Sequence, residues 1–62
     1  MHKIESLRKA AGLSQEDLAN LVGVTQGAVS QWESGESFPR AKLLIQISKI
    51  LSCTVDDLLE KE

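Results

Sequence analysis

Ser14 to Gly35, reading SQEDLANLVGVTQGAVSQWESG, is the stretch that decides how this chain folds. Ser14 followed three residues on by Asp17 is a capping signal, and Leu18, Ala19, Leu21 and Val22 then recur at helical spacing as one apolar face. Gly23 ends this helix, because without a Cβ it can take a positive φ and turn the backbone sharply, while Val24 plugs the corner. Thr25 is placed to cap a second helix, in which Ala28, Val29 and Trp32 share a face until Gly35 closes it.

Two helices joined so tightly cannot lie antiparallel. They cross at a wide angle and leave the second one projecting, which is the geometry of a helix-turn-helix. What projects is polar but uncharged: Gln26, Gly27, Ser30 and Gln31. A glutamine amide can exchange a pair of hydrogen bonds with the N6 and N7 edge of adenine, and Gly27 lets the backbone come close to a base or a thymine methyl. The plainer reading is a solvated face with no duty, but such a face more commonly carries Lys, Glu and Arg. The capped helix and glycine turn in front of it favour DNA readout.

The chain has 62 residues, enough for one small core and one domain spanning 1–62. A core of this size leaves modest stability, so a disulfide, a metal or self-association is the usual supplement. Cys53 is the single cysteine and His2 the single histidine, which excludes an internal disulfide and a zinc set and leaves self-association. No Ser-His-Asp, Cys-His or phosphate-loop set is present, so the reading is not an enzyme and calls for no cofactor. The longest aliphatic run, Leu43 to Ile45, is far too short for a membrane span or an export signal, and a lone thiol fits the cytoplasm.

A net charge of −2 argues mildly against nucleic acid, whose affinity comes largely from neutralised phosphates. The distribution matters more than the sum. Asp56, Asp57, Glu60 and Glu62 crowd the end of the chain against Lys61 alone, so the body before them is mildly basic. Such a molecule would sit on DNA with its tail outward.

Outside the central stretch, Ile4, Leu7 and Ala11 line a first helix with Gly12 as its stop, and Leu13 drops into the core behind it. His2, at the start, is expected to be a disordered terminal residue with no role. Gln15 opens the second helix, where free N–H groups suit an anion and its amide could reach a phosphate oxygen. Glu36 to Pro39 reads as a loop in which Phe38 packs inward and Pro39 fixes entry to a fourth helix begun by Arg40 and Lys42. Cations at a helix start are locally unfavourable, which invites a phosphate contact as their reason. Leu43, Leu44, Ile47, Ile50 and Leu51 make this a broad core helix. Cys53 reads as a small buried hydrophobe. Thr54 with Asp57 repeats the capping signal for a last helix carrying Val55, Leu58 and Leu59, the candidate dimer seam.

From about Ile4 to Leu59 the residues resemble the lambda-repressor-like helix-turn-helix family of the Cro and CI type. The resemblance is carried by LRKAAGLSQEDLA, LVGVTQGAVSQWESG, Pro39, LLIQISKIL and TVDDLL. It implies an all-α, five-helix fold with helices two and three, about residues 14–35, as the DNA-reading pair. By position it assigns base reading to Gln26, Gly27, Ser30 and Gln31, and phosphate contact to Gln15, Thr25, Ser37, Arg40 and Lys42. Arg8 and Glu33 match a basic and acidic pair that joins the first helix to the end of the third. Two positions depart from the pattern. Gly27 replaces a residue that commonly has a reading side chain, and Ser52 stands where glycine is usual, so a left-handed serine or another cap is expected there.

These readings converge on a sequence-specific regulator of transcription that binds double-stranded DNA. It is expected to act as a repressor, a homodimer on a palindromic operator, cytoplasmic and nucleoid-associated, and encoded by a bacterium or a phage. The alternative is an antitoxin or other protein-interaction module whose surface is the acidic tail with Val55, Leu58 and Leu59, and whose DNA binding is secondary.

Overall fold

The computed structural model describes residues 2–59. Glu60, Lys61 and Glu62 of the acidic end lie outside the described residues, as does the side chain of His2. Five helices follow one another: α1 (His2–Ala10), α2 (Gln15–Val22), α3 (Gln26–Ser34), α4 (Ala41–Ile50) and α5 (Val55–Leu59). This is the all-α five-helix architecture expected from the sequence. His2 opens α1, so the backbone there is helical, contrary to the disordered start expected.

Local chemistry sets most of the boundaries. At α2 the Asp17 N–H donates to Ser14 Oγ at 2.9 Å and the Ser14 N–H donates back to Asp17 Oδ2 at 3.0 Å, so two otherwise orphaned donors are satisfied reciprocally. Thr54 and Asp57 repeat the arrangement ahead of α5, with both bonds at 3.0 Å. Gly23 ends α2 at φ 85°, ψ 32°. Its N–H and that of Val24 both donate to the Ala19 carbonyl, at 2.8 and 2.9 Å. A residue with a Cβ would be strained in this left-handed corner, so the angle between α2 and α3 rests on that glycine. Ser52, after α4, is also left-handed at φ 55° and bears a Cβ.

The core is assembled from every helix. Ile4 of α1, Leu18 and Ala19 of α2, Val29 and Trp32 of α3, Ile47 of α4 and Leu58 of α5 are buried together with Leu51, which follows α4. Around them Leu7, Leu13, Val22, Val24, Ala28, Leu43, Leu44, Ile50 and Cys53 are partly buried. α3 is held from two sides, against α1 and α2, while α5 closes over α1 and α4. Burial pushes the Cys53 thiol above its ordinary pKa, with Asp57 adding to the effect, so this thiol is kept neutral.

Four expected positions are corrected. Phe38 is 70% exposed rather than packed, standing at the rim of an open groove with Val24, Pro39, Arg40 and Leu43. The inward side chain of that loop is the neighbouring Pro39, which is buried. Leu21, assigned to the apolar face of α2, is 59% exposed, because in this short helix Leu18, Ala19 and Val22 already cover the side that meets the core. Ala11 lies in the turn after α1 and is exposed. Arg40 is the residue before α4 rather than in it, extended at φ −65°, ψ 159°, and its side chain makes no cap.

Candidate nucleic-acid interface

α3 is fixed at both ends and on one side, which is what makes its other side a surface of defined shape. Thr25 Oγ1 accepts the Ala28 N–H at 3.1 Å, and Gly35, at φ 88°, returns its N–H to the Gln31 carbonyl at 3.1 Å. Val29 and Trp32 are buried, 0% and 4% exposed. Opposite them Gln26, Gly27, Ser30 and Gln31 are all exposed. Gly27, Ser30 and Gln31 are spaced i, i+3, i+4 and so form one strip, with Gln26 beside it at the first helical position. No charge interrupts this strip. Its amides are free to donate and accept, so it can read a surface that presents both kinds of group.

Behind α3 sits a buried polar cluster that ties the motif to α1. Arg8 Nε donates to Glu33 Oε2 at 2.6 Å and Arg8 Nη2 donates to Glu33 Oε1 at 3.1 Å, a two-pronged pairing of guanidinium and carboxylate. The third arm, Arg8 Nη1, donates to the Leu13 carbonyl at 2.8 Å, and Gln15 Nε2 donates to Glu33 Oε1 at 2.9 Å. The hydrogen bonds to Glu33 raise the Arg8 pKa against the opposing effect of burial. Burial pushes the Glu33 carboxyl up, but the bonds from Arg8 and Gln15 together outweigh it and hold the group below its ordinary value. Both remain charged near neutrality. Among the described residues, no buried side-chain nitrogen or oxygen is left without a partner.

The residues assigned to phosphate contact fall into two groups. Thr25 is exposed at the start of α3, with its oxygen engaged as the cap. Gln15 is half-buried and commits one amide hydrogen to Glu33, which leaves the other for an acceptor at the surface. Ser37 is half-buried, whereas Arg40 and Lys42 are exposed on the groove beside the α2–α3 corner. The link from Gln15 to Glu33 spans eighteen positions in sequence, and no local spacing announces it.

The expected dimer seam is altered. Leu58 is 0% exposed and belongs to the core of its own chain, so it has no surface to offer a second copy. Leu59 is 55% exposed and Val55 half-buried, and these two remain on the outside of α5. Among the described residues there is no group of His, Cys, Asp and Glu side chains able to hold a metal, and no helix is long and apolar enough to cross a membrane.

A capped helix projecting from a left-handed glycine corner, carried on a small bundle, defines a helix-turn-helix domain. The chain belongs to the helix-turn-helix family, of the Cro and CI type: the family's model matches residues 4–58. It is 43% identical over 60 residues to the HTH-type transcriptional activator BcrR of Enterococcus faecalis, covering 97% of this chain and 29% of that protein. It is 40% identical over 58 residues to Repressor protein C2 of Salmonella phage P22, covering 94% of this chain and 27% of that one. It thus spans less than a third of the length of either curated relative. The fold matches the crystal structure of the P22 c2 repressor in complex with a synthetic operator at a TM-score of 0.90 and 38% identity, over 98% of this chain and 92% of that chain.

Proposed function

We propose that this chain is a sequence-specific DNA-binding regulator of transcription, acting as a repressor, which lays α3 in the major groove of its operator. The observation that carries the reading is the strip Gln26, Gly27, Ser30 and Gln31, uncharged and exposed on a helix anchored by Val29 and Trp32. It is supported by the likeness to the operator-bound P22 repressor. Gln26 and Gln31 present amides that suit base edges, while Arg40 and Lys42 stand where cations can neutralise backbone phosphate. A homodimer through Leu59 and Val55 would place two copies of α3 about 34 Å apart, in successive major grooves of a palindrome. The cell compartment that fits this role is the cytoplasm, in contact with the nucleoid.

Selection of bound duplexes from a random pool, at a stated salt concentration, tests the proposal. A symmetric enriched site is expected. A pool that comes through the selection unenriched would refute sequence-specific binding.

A further inference from the structure

A duplex backbone accounts for two cations beside α3, but not for the apolar groove they border. That groove, at the α2–α3 corner, has a volume of about 560 Å³, within the range of small-molecule sites. Its carbon surface comes from Val22 and Val24 at the corner, Ala28 and Trp32 of α3, and Leu43 of α4. Phe38 stands at the rim with 70% of its surface in water, and nothing in the chain's own packing covers it. Arg40 and Lys42 are the charged residues of the lining, and no carboxylate accompanies them. Among the described residues, neither side chain enters an ion pair or a hydrogen bond.

We propose that this groove binds a small amphiphilic anion, a carboxylate carried on an alkyl or aromatic body, and that the bound anion displaces DNA; the displacement rests on the DNA-reading role proposed above. The match is one of charge and polarity together. The apolar body covers Phe38 and lies on Val24 and Leu43, which takes carbon out of water on both partners. The carboxylate meets Arg40 and Lys42 in charge-assisted bonds. A phosphodiester satisfies the cations alone, and a neutral hydrocarbon satisfies the ring alone. Because anion and duplex call on the same two cations, they compete, and each lowers the other's affinity by the same factor.

Trp32 is the single tryptophan of the chain and lines the groove, so its emission reports occupancy. The test titrates the protein with sodium decanoate below its micellar range, with decanol and acetate as comparators. Decanoate should shift the Trp32 emission and saturate, with decanol roughly tenfold weaker and acetate without effect. Phe38 and Arg40 are both exposed, so Phe38→Ala and Arg40→Ala should unfold at the parent's midpoint while each weakens decanoate roughly tenfold. On the duplex recovered by selection, decanoate should lower the parent's affinity, whereas Phe38→Ala should bind that duplex as the parent does and resist decanoate. If decanoate leaves Trp32 unmoved, or both variants take it up as the parent does, the site is refuted and DNA reading stands. If decanoate binds without changing the affinity for the duplex, displacement is refuted. If decanoate binds as expected and no duplex is bound at all, the DNA-reading role falls and the anion site stands.

Discussion

At the scale of single residues, the buried pair of Arg8 and Glu33 joins α1 to α3 through two opposite charges. Both charges are taken out of water and each is the other's principal partner. Glu33→Ala therefore strands a buried guanidinium, and the expected loss is about 3–5 kcal/mol, read from urea unfolding midpoints; a variant that unfolds with the parent would contradict this. The same pair sets a pH dependence. The folded-state pKa of Glu33 lies below its unfolded value, so its contribution is complete above the ordinary carboxylate range and is lost as pH falls through the depressed value. Asp17 and Asp57, lowered by the backbone and side-chain bonds of Ser14 and Thr54, act in the same direction. Stability should thus fall on acidification below about pH 4.5, and Glu33→Gln should flatten that limb without abolishing it. Ser52 offers the opposite sign. It holds a left-handed φ of 55° with a Cβ attached, so Ser52→Gly should raise stability by about 1 kcal/mol despite the extra freedom of the unfolded chain.

At the scale of elements, the ends of α2, α3 and α5 are short-range chemistry, which is why they were legible beforehand. Ser14 and Asp17, Thr25 and Ala28, and Thr54 and Asp57 sit three positions apart, so the spacing that signals a cap is the distance the cap bridges. The cap on α3 carries a prediction: Thr25→Ala should cost about 1 kcal/mol in thermal or denaturant unfolding, and it should weaken DNA binding because the frayed turn bears Gln26. What the pattern could not supply is how far each apolar face is used. Hydrophobicity says that Phe38 and Leu21 would gain from burial; whether a partner surface lies within reach depends on how the other helices pack. Gln15 shows the same limit from the polar side. Its place at a helix start suggested an anion, and nothing short of the folded chain brings Glu33 to its amide. The pairing of Arg8 with Glu33 is implied by the family resemblance and by no spacing in the sequence.

At the scale of the whole molecule, Leu58 and Leu59 separate folding from assembly. Leu58→Ala empties part of the core and should cost about 2–5 kcal/mol, whereas Leu59→Asp changes an exposed residue and should leave the unfolding midpoint of the single chain near the parent's. If α5 forms the seam, Leu59→Asp should instead weaken self-association, read by sedimentation. The salt dependence of DNA binding then gives an independent count of chains on the duplex. Each phosphate contact contributes about 0.9 to the slope of log affinity against log salt. Arg40 stands exposed beside the α2–α3 corner, so one substitution, Arg40→Ala, removes one cation from every bound copy. For a dimer the slope should flatten by about 1.8, for a monomer by about 0.9, and for an arginine that touches no phosphate it should not change. Because Arg40 caps nothing and has no assigned base edge, the loss should be the same on selected and unselected duplexes. A loss confined to the selected site would instead make Arg40 a reader of sequence, and the division between the α3 strip and its cationic flank would have to be redrawn.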